Sequence, residues 1–130
     1  MSVSLLVITH DNIGEALVDT ATSMLGVRPL HIDVISVSKD SNPDGIVNDA
    51  EQLIKAHPAT LVLTDMYGST PSNIACRLRT DNSVRVVGGI NLPMLVRVLN
   101  YPGLGLEELV NKAVSGGKDG VMSCNTEHDH

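Results

Sequence analysis

A histidine, an aspartate and a short run of hydroxyls carry the chemistry available to this sequence. His10 closes the apolar run Leu5-Leu6-Val7-Ile8-Thr9, and Asp65 closes a second, Leu61-Val62-Leu63-Thr64. Ser69, Thr70 and Ser72 follow Asp65 within a few residues. A carboxylate that accepts the Nδ1 proton of an imidazole fixes its tautomer and leaves Nε2 free as a nucleophile. A helix that opens among hydroxyls presents free N–H groups and a positive dipole end, which is an anion site. Together these are what a transient phosphohistidine needs. Each residue also has a plainer reading: Asp65 as a loop cap, and Ser69, Thr70 and Ser72 as ordinary turn and N-cap residues.

For the two groups to meet, the chain must bring two loops to one edge. Val3 and Leu5 to Ile8 read as a buried strand, because the run is short, nearly unbroken and without helical period. A helix is expected from Ile13 to Leu25, capped by Asn12 and stopped by Gly26. Leu30 to Val37 reads as a second strand. Ser41-Asn42-Pro43-Asp44 opens a second helix, which ends at His57-Pro58. Ala59 to Thr64 forms a third strand, and a third helix begins with Thr70 as cap and Pro71 at its first position. Val84 to Val87 is a fourth strand ending in Gly88-Gly89. Asn91 caps a fourth helix, and a fifth carries Leu106, Leu109, Val110, Ala113 and Val114 and stops at Gly116-Gly117. Val121 and Met122 leave room for one short edge strand.

This alternation predicts an α/β, doubly wound, three-layer fold with a four-stranded parallel sheet. In the order 2-1-3-4, strands one and three are neighbours, and His10 and Asp65 fall side by side at the carboxyl edge, where such sheets bind ligands. One domain over residues 1–124 is expected, with 125–130 as a polar tail.

Composition narrows the function. The 130 residues carry a formal charge of −6, with no Lys/Arg cluster to neutralise phosphates, which argues against nucleic acid. Without Trp or Phe the core must be aliphatic. No stretch approaches a membrane span and no basic-then-apolar leader stands before Val3, so a cytoplasmic protein is expected. Cys76 and Cys124 have no metal-type spacing and read as reduced thiols.

Three segments together resemble one family: Leu6-Val7-Ile8-Thr9-His10, Asp65-Met66-Tyr67-Gly68-Ser69-Thr70-Pro71-Ser72-Asn73 and Gly88-Gly89-Ile90-Asn91-Leu92-Pro93-Met94-Leu95. They resemble the IIA component of the mannose-family bacterial sugar phosphotransferase system, over about Val3 to Met122. The resemblance implies a phosphotransferase that takes a phosphoryl group on His10 from the carrier protein HPr. It then passes the group to a IIB component serving a membrane transporter, without metal or other cofactor. It implies Asp65 as the residue that orients His10 and Thr70 as a hydroxyl on the phosphoryl group; Ser69, Ser72 and Thr9 are grouped with Thr70 as phosphoryl-binding candidates. It also implies a homodimer that exchanges its last strand, near Gly120 to Ser123. Two departures stand out. The family usually has glycine directly after the active histidine, where this chain has Asp11, and its loop is often Gly-Gly-Ser where this chain has Gly68-Ser69-Thr70.

Two other functions fit the same residues. One is a regulatory phosphohistidine acceptor, or a phosphodonor of the dihydroxyacetone-kinase type, without its own transporter. The other is a hydrolase with Thr70 or Ser69 as nucleophile, His10 as base and Asp65 as orienter, although no Gly-x-Ser-x-Gly elbow is present. His31 and His57 read as structural or exposed. Glu127-His128-Asp129-His130 reads as tail rather than metal site.

Overall fold

The computed structural model describes residues 2–80 and 82–124. The elements alternate as expected: β1 (Ser4–His10), α1 (Ile13–Leu25), β2 (Ile32–Val37), α2 (Pro43–Lys55), β3 (Thr60–Thr64), α3 (Thr70–Arg77), β4 (Val84–Val87), α4 (Leu92–Leu99) and α5 (Leu106–Asp119). The strands form one sheet in the order β2-β1-β3-β4, and each neighbouring pair is parallel. β1 therefore lies inside the sheet, and all of it except His10 is buried. That burial is why its sequence is an apolar run rather than an alternation.

Two aliphatic cores cover the two faces. Leu5, Val7, Leu61 and Leu63 pack with Val18 and Ala21 of α1, Leu95 and Leu99 of α4, and Leu109 and Ala113 of α5. Leu6, Ile8, Val62 and Val84 pack with Val47 and Ala50 of α2 and with Ile74 and Ala75 of α3. The alternate residues of β1 and β3 thus feed opposite layers, as strand pleating requires. α1 lies so close to β1 that a Cβ on Gly14 would stand 2.7 Å from Val7 Cγ1.

The chain departs from expectation at its end. α5 does not stop at Gly116-Gly117 but runs on to Asp119. Helical glycines usually weaken a helix, but here they let α5 approach α4. A Cβ on Gly116 would lie 2.8 Å from Arg97 Cβ, and one on Gly117 would lie 2.9 Å from Met94 Cε. The close approach is a packing requirement, so glycine here marks contact rather than a stop. The edge strand expected near Gly120 to Ser123 is one exchanged between subunits; in this single chain Val121 to Cys124 have no regular structure, and Val121 and Met122 are each 76% exposed. The expected tail, 125–130, lies outside the described residues.

Candidate functional site

His10 and Asp65 meet at the carboxyl edge of the sheet because β1 and β3 are hydrogen-bonded neighbours, with Ile8 opposite Thr64. Asp65 Oδ2 lies 2.7 Å from His10 Nδ1 and also accepts the backbone N–H of His10 at 2.9 Å. Oδ1 accepts the Met66 N–H at 2.9 Å. An ionised carboxylate only accepts, so Nδ1 carries the ring proton and Nε2 is left with its lone pair. Burial alone would push the Asp65 carboxyl upward. The bonds from the His10 backbone and ring and from the Met66 N–H outweigh it and hold the group below its ordinary value. The Asp65 side chain is 13% exposed while that of His10 is 43% exposed. The anchor is thus shielded and the reactive ring is open.

The loop between Asp65 and α3 leaves the helix start open. Ser69, not Thr70, is the N-cap residue. Its hydroxyl donates back to the Met66 carbonyl and makes no bond to the helix. The first backbone bond into the helix runs from Asn73 N–H to Ser69 O, and the N–H groups of Thr70 and Ser72 enter no hydrogen bond among the described residues. Pro71, which has no N–H, lies between them. No acidic side chain occupies the first turn. Thr70 and His10 line the same cleft, of about 710 Å³.

The other hydroxyls take structural roles. Ser72 is 1% exposed, and its Oγ accepts the Gly68 N–H at 3.2 Å, holding the turn in which Gly68 has φ 88°. Thr9 is fully buried; its Oγ1 accepts the Gly14 N–H at 2.8 Å and donates to the His10 carbonyl at 3.2 Å. Thr9 therefore does not face the cleft, which corrects its place among the phosphoryl-binding candidates. It also replaces Asn12, whose side chain makes no cap bond, as the residue that satisfies the start of α1. No hydroxyl hydrogen-bonds the His10 ring among the described residues, so a serine or threonine nucleophile with His10 as base is not assembled.

Further residues complete the surroundings. Asp11, Ser38, Lys39 and Ser41 line the Thr70 side of His10. The signal for Lys39 was topological: β2 is the other neighbour of β1, with Val37 opposite His10, so the loop after β2 must reach the same edge. The opposite side is apolar, formed by Ile13, Met66, Tyr67, Gly88 and Gly89, and Tyr67 is 84% exposed. Asp11 has φ 42°, a left-handed conformation that glycine adopts without strain and aspartate tolerates better than most residues. Its N–H is held by the Val37 carbonyl at 2.9 Å.

The doubly wound domain thus brings an aspartate-anchored imidazole and an open helix start to one cleft. Comparison with known proteins gives the family. A family model described as "PTS system fructose IIA component" (EIIA-man) matches residues 4–114. The PTS system mannose-specific EIIAB components of Escherichia coli K12 and Shigella flexneri are each 31% identical over 129 residues, 95% of this chain and 40% of those proteins. The chain thus spans well under half the length of these curated relatives. Among solved structures, the mannose/sorbose-specific IIA subunit of Enterococcus faecalis superposes with a TM-score of 0.85 at 25% identity, covering 96% of both chains. EIIA from Streptococcus agalactiae superposes with a TM-score of 0.83 at 21% identity, covering 93% of this chain and 96% of that one. The chain belongs to the mannose family of phosphotransferase-system IIA components. No helix among the described residues is long and apolar enough to cross a membrane.

Proposed function

We propose that this chain is a phosphocarrier in which His10 Nε2 accepts a phosphoryl group from phospho-HPr and hands it to a IIB component for sugar uptake and phosphorylation. The observation that carries this reading is the 2.7 Å contact between His10 Nδ1 and Asp65 Oδ2, which reserves Nε2 for phosphorus. The phosphoryl oxygens are received by the free N–H groups at the start of α3 and by the Thr70 hydroxyl. Lys39 adds a positive charge on the same side of the cleft. The apolar rim of Ile13, Met66 and Tyr67 gives the two partner proteins a common surface on which to dock.

The chain acts as a homodimer in this reading. β4 is an edge strand, and beside it a groove is lined by Val87, Met94, Val114 and Val121. Exchange of the segment near Gly120 to Ser123 would cover Val121 and Met122 and pair the open edge. A cytoplasmic location follows from the relay itself.

The test is incubation with labelled phosphoenolpyruvate, enzyme I and HPr. Acid-labile label is expected on the wild-type chain and none on His10→Ala. Absence of label from the wild type, or its persistence in the variant, overturns the proposal.

A further inference from the structure

A second cluster lies at the opposite, amino-terminal end of the sheet. His31 precedes β2, and its carbonyl accepts the Leu5 N–H at 2.8 Å; Asp33 is two residues on and so shares its face of the strand. His57 leaves the carboxyl end of α2 on the way into β3. The fold brings together three residues that are far apart in sequence. His31 Nε2 lies 2.9 Å from Asp33 Oδ2. The rings of His31 and His57 stand 4.5 Å apart between centroids, tilted by 36°. One ligand atom from each of the three residues falls within 4.8 Å of the other two. The His57 ring makes no side-chain hydrogen bond among the described residues.

We propose that His31, Asp33 and His57 form a binding site for a borderline divalent transition metal of the zinc type. Two imidazoles and one carboxylate are a donor set such ions favour, and the absence of thiolate disfavours soft monovalent copper. Ligand atoms around a tetrahedral ion lie about 3.3 Å apart, given metal–nitrogen bonds of about 2.0–2.1 Å. The His31–Asp33 pair is already near that spacing, and the rings close the rest by rotamer adjustment, since the His31 side chain is 53% exposed. On binding, the Nε2 proton of His31 moves to Nδ1 or to solvent, and Asp33 exchanges its ring contact for the ion. Water fills the remaining position. The ion would clasp the connection from α1 to β2 against that from α2 to β3, across the start of β1. It would stabilise the native state without touching His10, which is at the other end of the same strand.

The experiment uses Zn²⁺ alone and Co²⁺ alone as probes. Because the terminal Glu127-His128-Asp129-His130 offers competing ligands, every protein carries His128→Ala and His130→Ala. In that background Zn²⁺ is expected to raise the melting temperature, and Co²⁺ to broaden the ring resonances of His31 and His57 selectively. Asp33→Asn, His31→Gln and His57→Gln are each expected to weaken Zn²⁺ binding by at least about tenfold, the loss expected already for outer-shell changes. Phosphorylation of His10 should be unchanged in all of them, so the outcome is independent of the relay. Failure of Zn²⁺ to bind the background protein overturns the site. So does Zn²⁺ binding by the three variants as tight as by the background protein, or broadening centred on His10.

Discussion

α3 and α4 start alike in sequence and differently in space. Each has a polar residue followed two positions later by proline: Ser69-Thr70-Pro71 and Asn91-Leu92-Pro93. Asn91 seals its helix, since Oδ1 accepts the Met94 N–H at 2.9 Å and Nδ2 donates to the Gly117 carbonyl at 3.1 Å. Ser69 turns away, leaving the first N–H groups of α3 free beside His10. α2 is sealed as α4 is, since Asn42 accepts the Asp44 N–H, and Asp44 adds a negative charge in its first turn. An N-cap is normally worth about 1 kcal/mol. α3 forgoes it at the cleft it shares with His10, which is where the proposed relay needs free N–H groups for a phosphoryl group.

The largest effect expected from breaking this arrangement is on the imidazole. Asp65→Asn removes the charge that fixes Nδ1–H and permits the wrong tautomer; the phosphorylation rate should fall by about 10–100-fold or more, the lower range being that of partners that orient metal-bound histidines. Rapid-quench measurement with phospho-HPr checks this, and an unchanged rate would remove Asp65 from the mechanism. The same carboxylate links the site to stability. Its folded pKa lies below its ordinary value, so its contribution is complete above the unfolded carboxylate pKa of about 3.9. That contribution is lost as pH falls through the lower folded value. Urea unfolding of wild type should therefore weaken on acidification more steeply than that of Asp65→Asn.

Sealing the open start is the next largest perturbation. Ser69→Asp supplies a cap and a charge that complement the helix dipole, so the fold should gain about 0.3–1 kcal/mol. The same charge repels an incoming phosphoryl group. Like charges about 4 Å apart cost roughly 1–4 kcal/mol near a protein surface, and phosphorylation should slow by about tenfold or more. Opposite movement of melting temperature and rate is the signature; parallel movement would mean that the helix start is not where the phosphoryl group rests.

The complementary change, Asn91→Ala at the sealed start, should cost about 1–2 kcal/mol in stability by removing the cap and orphaning the Gly117 carbonyl. Chemical denaturation measures that loss, and the phosphorylation rate of the folded fraction should not change.

The contrast also shows what was legible in the sequence. The succession of strands and helices and the capping role of Asn91 followed from apolar runs and helix-start residues, which are local signals. Strand order, and with it the juxtaposition of His10 with Asp65, followed from a common order of doubly wound sheets. The side-chain directions of Ser69, Ser72 and Thr9 were not legible. All three are hydroxyl residues near a turn, and which N–H or carbonyl each meets is decided by tertiary placement over distances of about an ångström. Gly116-Gly117 misled for a similar reason: a helix stop and a close helix–helix contact use the same residue, and only the position of α4 distinguishes them. The His31, Asp33 and His57 cluster was invisible because each member is unremarkable in its own segment.

A last, smaller test separates unpaired groups that serve the site from one that does not. The free N–H groups of α3 border an open cleft, so water satisfies them until a ligand arrives. Thr64 Oγ1, one residue before Asp65, is different: it is fully buried and has no hydrogen-bond partner among the described residues. A buried hydroxyl without a partner is destabilising relative to an apolar group of the same shape. Valine keeps both branches and removes the orphan, while the backbone bond from Ile90 N–H to the Thr64 carbonyl at 2.9 Å is untouched. Thr64→Val should therefore be neutral or stabilising by up to about 1 kcal/mol, with phosphorylation unchanged. A loss of phosphorylation without loss of stability would instead make this hydroxyl part of the support for Asp65, and would extend the functional half of the comparison from the helix start back into the strand.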